Sequence, residues 1–222
     1  FTLGAQSVNP NAKVYVKELG TWADEVNESA FAKELIQTYN CGVISQHCDS
    51  AQPQIAAQDA GVFGCGYNSD MTADAPKAHL TAAIWHWNVY YHTAIQAAMD
   101  CNGDASQFVS KMGGSAYYGG LKENFVDVSP LNEATVAAGT QEAIDQAIAD
   151  LEAGTIHVFD TANFTVGGET MTSYLADVDT DPAYTPDTEV IADGYFHESE
   201  KRSAPYFDLR IDGITLLDEA YG

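Results

Sequence analysis

Short runs of β-branched and aromatic residues alternate with helical stretches through the first hundred residues, and that alternation leaves few folds open. Residues 13–18 (KVYVKE) read as a strand, and 24–39 as a helix with Phe31, Leu35, Ile36 and Tyr39 on one stripe. Cys41-Gly42-Val43-Ile44-Ser45 reads as a short buried strand, and 51–60 as a helix closed by Gly61. Val62-Phe63-Gly64-Cys65-Gly66 and Leu80-Thr81-Ala82-Ala83-Ile84 supply two more strands, with a helix over 88–100. Strand and helix alternating at this spacing predict right-handed βαβ units. The expected fold class is therefore α/β, a parallel sheet flanked by helices.

Beyond residue 112 the pattern changes. Residues 113–128 are rich in Gly and Tyr and end strand-like at Phe125-Val126-Asp127-Val128. An amphipathic helix is expected over 133–152, with Ala137, Ile144, Ile148 and Leu151 on one side and Gly154 as its stop. Ile156-His157-Val158-Phe159 reads as a further strand, and 189–196 and 206–217 as hairpin-like pieces. The expected organisation is an α/β lobe over 1–112, a crossover strand, long helix and returning strand over 113–165, and an extension over 166–222.

Charge excludes one large class of partners. Nine Lys and Arg face 32 Asp and Glu, for a net charge of −23. The few cations form no basic stripe, so a phosphate backbone would be repelled and nucleic-acid binding is not expected. No window approaches 18 consecutive apolar residues. The chain opens Phe1-Thr2-Leu3-Gly4 without a charged segment before an apolar one, so any export signal is expected to lie outside it. Cys41, Cys48, Cys65 and Cys101 are too few for a disulfide framework, lack a Cys-x-x-Cys pair, and are expected to be reduced and mostly buried.

Ligands of open parallel sheets bind outside the carboxyl ends of the strands. That rule selects the loops Gly20-Thr21-Trp22-Ala23-Asp24, Gln46-His47-Cys48-Asp49-Ser50 and Tyr67-Asn68-Ser69-Asp70-Met71. Their rings and carboxylates suit a flat heteroaromatic ligand with a hydroxylated arm. Asp24, Asp49 and Asp70 could equally cap the helices that follow. His47-Cys48-Asp49 holds the residue types of a thiol nucleophile, yet neighbours in a row cannot converge on one point. Asp177-x-Asp179-x-Asp181 begins like a calcium loop, but Pro182 stands where the turn Gly belongs. Trp85, His86, Trp87, Tyr90 and Tyr91 are expected to be core.

Five blocks in collinear order carry a resemblance. Gly20-Thr21-Trp22, Gln46-His47-Cys48-Asp49-Ser50, Gly66-Tyr67-Asn68-Ser69-Asp70-Met71, Pro76-Lys77-Ala78-His79-Leu80-Thr81 and Gly119-Gly120-Leu121-Lys122-Glu123 resemble the basic membrane protein family. These are substrate-binding lipoproteins of ABC importers, mostly for purine nucleosides or bases, with a two-lobed type I periplasmic-binding-protein fold. The resemblance implies a ligand between aromatic rings in an interlobe cleft, Trp22 stacking on it. It implies that Asn68 and Asp70 reach its polar edge, with Lys122 and, on a weaker match, Asp49. Many relatives have Asp where Asn68 stands, a change that bears on recognition of a ribose diol. The pattern is met only from within a helix onward, so the family's opening lobe and lipid-bearing Cys are expected to lie outside this stretch. The implied protein is extracytoplasmic, partners an ABC permease, uses no cofactor and catalyses no reaction. An acidic protein-interaction module working through its Tyr- and Trp-rich face is the alternative.

Overall fold

The computed structural model describes residues 1–179, 182–201 and 209–218. The elements begin with α1 (Thr2–Val8), β1 (Val14–Val16), α2 (Glu25–Tyr39), β2 (Val43–Ser45), α3 (Gln52–Ala60), β3 (Phe63–Asn68), β4 (His79–Trp85) and α4 (Trp87–Asp100). They continue with α5 (Phe108–Met112), β5 (Val126–Val128), α6 (Thr140–Ala153), β6 (Leu175–Ala176), β7 (Thr188–Glu189), β8 (Ile191–Ala192), β9 (Tyr195–Phe196), α7 (Glu198–Lys201) and β10 (Ile214–Leu216). Two compact units result, one from Phe1–Lys17 with Ala149–Glu219 and one from Glu18–Ile148.

In the second unit β2, β3, β4 and β5 form one sheet in that order. β2, β3 and β4 run parallel, as the alternating pattern predicts, and β5 runs antiparallel to β4 with Trp85 opposite Val126. Ile44 faces inward among Ala32, Ala56, Ala57, Ala75 and Ala78, so small side chains let the helices lie close to the sheet. Asp24 caps α2 by accepting from the Asn27 N–H at 3.1 Å, and Gly61, with φ of 72°, ends α3 in the left-handed region. Gly64 and Gly66 leave one face of β3 without side chains, and there Gln54 and His79 lie directly against the strand. A Cβ on Gly66 would stand 2.9 Å from the His79 ring carbon Cε1.

The structure corrects several expectations. β1 does not join the parallel sheet. It belongs to the first unit and pairs there in parallel with β10, Tyr15 opposite Thr215, so 214–216 is a partner strand and not half of a hairpin. Residues 206–208 of that expected hairpin, and Asp181 of the calcium-like run, lie outside the described residues. The expected helix over 133–152 begins at Thr140, because Gly139 sits at φ 86° and Asn132 holds the preceding residues in turns. Ile156–Phe159 forms no strand, irregular at 156–157 and a turn at 158–159, with Ile156 and Val158 exposed.

The expected hairpin at 189–196 is present as β8 and β9. Asp193 and Gly194 both have positive φ (52° and 85°), the conformation that two-residue hairpin turns require. Ala176, Val190, Ile191 and Phe196 make that unit's core. Among the described residues no helix is long and apolar enough to cross a membrane.

Candidate binding site

The carboxyl ends of β2, β3 and β4 share one edge of the sheet, and each delivers a ring there. His47 follows β2 by two residues, Tyr67 sits one residue from the end of β3, and Trp85 ends β4. Tyr67 packs its face 4.3 Å from His47 and meets Trp85 edge-on at 5.1 Å between centroids. Trp22 reaches the same edge by another route. Its strand lies elsewhere, but its carbonyl accepts from the Asp49 N–H at 2.8 Å, and its ring stands 5.5 Å from His47. Four aromatic rings thus run in series along the rim, with Trp22 60% exposed at the open end.

Polar groups border this string. The Asn68 amide donates to the Asp49 carboxylate at 3.0 Å, and both residues are exposed. Asn68 takes a φ of 68°, a left-handed conformation that Asn tolerates better than most residues, and this turns the chain out of β3. Burial, helped by the Asp49 charge, pushes the Tyr67 phenol above its ordinary range. Two residues on, the Thr72 side chain and N–H hold the Asp70 carboxyl below the usual carboxylate range.

Lys122 stands in the turn that precedes β5. Because β5 runs antiparallel to β4, that turn falls at the edge where β4 ends, so topology brings Lys122 to the same rim. The turn is closed by the Asn124 N–H donating to Leu121 at 2.8 Å and by Glu123 accepting from the Gly120 N–H at 2.7 Å. Lys122 itself is exposed, and no hydrogen bond or ion pair joins it to the other four among the described residues. Of the three acids that could have been caps, Asp24 is one, whereas Asp49 is engaged by Asn68 and Asp70 lies beside His79.

Beneath the rim lies a polar layer that residue patterns did not single out. Gln54 is fully buried and donates to Gln46 Oε1 at 2.9 Å and to the Cys65 carbonyl at 3.0 Å. Gln46 in turn donates to the carbonyls of Cys48 and Ser50 at 2.8 and 2.7 Å, fixing the loop that carries Asp49. Glu28, buried in α2, accepts from the Asp24 N–H at 2.8 Å and from the Ser50 hydroxyl. The alternate glycines of Phe63-Gly64-Cys65-Gly66 were the available signal, since a bare strand face invites polar side chains to lie against it.

The cysteines are all free, but only Cys101 is buried, the other three being partly covered, Cys65 within β3 and Cys41 and Cys48 on either side of β2. Burial and the neighbouring Glu28 charge push the Cys48 thiol up to about 12, a setting opposite to that of a thiolate nucleophile. The aromatic cluster near α4 is also less covered than expected. Trp87 packs edge-on against Phe125 at 5.6 Å, yet Trp87 and Tyr91 remain more than half exposed.

In α/β proteins, the carboxyl edge of parallel strands, lined as here with rings and carboxamide or carboxylate groups, is where small molecules bind. Residues 1–155 match the Bmp family, described as ABC transporter substrate-binding protein PnrA-like, and the chain belongs to it. A purine-binding protein of Brucella abortus is 35% identical over 130 residues, 59% of this chain and 34% of that protein. A Haloferax volcanii protein named for glucose binding in ABC transport is 34% identical over 108 residues, 49% of this chain and 27% of its own length. Metabotropic glutamate receptor-like protein K of Dictyostelium discoideum is 30% identical over 92 residues, 41% of this chain and 13% of that protein. The matched stretches therefore span about a third or less of these relatives.

Proposed function

We propose that this chain forms ligand-binding surface of an extracytoplasmic substrate-binding protein that serves an ABC importer permease. We propose further that its solute is a purine nucleoside or nucleobase, bound without chemical change. The observation that carries the ligand class is the string Trp22, His47, Tyr67 and Trp85, flanked by Asp49 and Asn68. A purine offers two faces for stacking and N–H groups that carboxylates and carboxamides accept. Asp70 and Lys122 extend the same rim toward a sugar or the far ring edge. The purine-binding relative supports this reading, and the glucose-named relative supplies its competitor.

Calorimetry with adenosine, guanosine, inosine, adenine and glucose decides between them. Purines should bind and glucose should not. A base stacked on an aromatic ring contributes roughly 1–3 kcal/mol, so Trp22→Ala should weaken purine binding about fivefold or more. Asp49→Ala should weaken it as well. Glucose binding without purine binding, or purine binding indifferent to both substitutions, would overturn the proposal.

A further inference from the structure

One buried polar atom beneath the rim has no hydrogen-bond partner among the described residues: Nε2 of His79. The ring is fully buried, and Nε2 faces the Asp70 Oδ1 at 3.7 Å. The tautomer is fixed from outside the ring. Gln46 spends its amide nitrogen on the carbonyls of Cys48 and Ser50, so its Oε1 faces Gln54. Gln54 then spends its own nitrogen on Gln46 Oε1 and the Cys65 carbonyl, so its Oε1 faces His79 Nδ1 at 3.2 Å. In the neutral ring Nδ1 must therefore carry the proton, and Nε2 presents a lone pair to a carboxylate. Two acceptors face each other where one proton would make a charge-assisted bond.

We propose that His79 is a positioning residue for Asp70: neutral, it leaves the carboxylate at the rim; protonated, it donates from Nε2 and draws the carboxylate back beneath it. The inference rests on the reading of the rim as a ligand site, and it makes ligand binding weaken as the pH falls through the titration of His79. The charged groups acting on His79 are Asp70 and Asp74, both from the loop between β3 and β4. α3 faces it with the neutral Gln54, and β3 with Gly66, beside Met71. Burial outweighs the two carboxylates and holds the imidazole below its ordinary value of 6.5. Thr72 holds the Asp70 carboxyl below its ordinary range, which favours the charged form opposite His79. The unfolded chain binds that proton more readily, so acidification below about 6.5 also lowers folding stability.

Two experiments on the intact chain test this. Imidazole NMR without ligand should show His79 as the Nδ1–H tautomer at pH 8, titrating below 6.5, with the Asp70 carboxyl signal moving in the same step. Asp70→Asn, which removes a facing charge, should lower that titration further. An Nε2–H tautomer, or a titration that Asp70→Asn leaves unmoved, would overturn the pairing. Calorimetry with adenosine at pH 7.5 and at a pH below the His79 titration seen by NMR should show at least about a threefold loss of affinity at the lower pH. In His79→Gln, which keeps an amide for Gln54 but cannot titrate, that loss should vanish. Equal affinity of the unsubstituted chain at both pH values, despite a protonated His79, would overturn the positioning role. If adenosine binds at neither pH, the ligand reading fails, and the joint His79 and Asp70 titration alone decides whether the pair forms.

Discussion

Gly66 and Cys48 show how single positions shape the rim from below. A methyl group at Gly66 would stand 2.9 Å from His79 Cε1, 3.0 Å from Met71 Sδ and 3.3 Å from Ala82 Cβ. None of these can retreat easily in a packed layer, so Gly66→Ala should destabilise by about 1–3 kcal/mol in urea denaturation. A change below half a kcal/mol would mean the layer is looser than described. Cys48 makes a chemical prediction. With its thiol pushed up to about 12, its thiolate fraction at pH 8 is lower than that of an ordinary thiol by about a thousandfold. Mass mapping after timed iodoacetamide treatment of the native chain should find Cys48 unmodified long after a free thiol has reacted. Rapid labelling there would contradict the burial and the Glu28 charge that set the shift. At this scale the sequence was partly legible. Asp49, Asn68 and Asp70 could be placed at one edge because they follow successive strands of one parallel sheet, whereas for Trp22 that reasoning fails, since β1 lies outside the sheet. Gln54 and His79 could not be, since a polar residue in a predicted helix or strand start looks the same whether it faces water or the core.

Elements were more legible than their partners. Each predicted short strand except 156–159 has a counterpart within a few residues, because its apolar composition is local, while β6 at Leu175–Ala176 was not foreseen. The pairing of β1 with β10, some 200 residues away, leaves no trace in either three-residue run. Trp22 therefore reaches the rim through a backbone hydrogen bond from Asp49 and not through a shared sheet. The antiparallel sense of β5 was likewise hidden, and it is what carries the turn of Lys122 to the carboxyl edge. Glu28 joins two of these elements, tying the start of α2 to Ser50 in the loop after β2. Glu28→Ala leaves the Ser50 hydroxyl and the Asp24 N–H without their acceptor, which should cost about 1–3 kcal/mol. The same substitution removes a charge that holds the Cys48 thiol high, so alkylation of Cys48 should speed up. Lost stability without faster alkylation would show that desolvation alone governs that thiol.

For the whole molecule, charge and exposed apolar surface oppose each other. Trp87, Tyr91, Ile95 and Met99 recur every four residues along α4 and are 53%, 56%, 61% and 67% exposed. A stripe of that length is larger than the scattered apolar residues of an ordinary surface, and such patches favour association. On the sheet, paired Val43 and Phe63 are each 44% exposed, although parallel strands are usually covered on both faces. Against this stands a net charge of −23, which repels a second copy at low ionic strength. Salt shortens the reach of that repulsion from about 30 Å at 0.01 M to about 8 Å at 0.15 M. The apolar attraction is not screened in the same way. Light scattering should therefore find a monomer in 10 mM salt at pH 8 and rising average mass as sodium chloride approaches 0.5 M. Ile95→Glu with Met99→Lys should suppress the rise, because both break the stripe without altering net charge. Mass that falls with added salt, or a rise indifferent to the double substitution, would place the contact elsewhere on the chain.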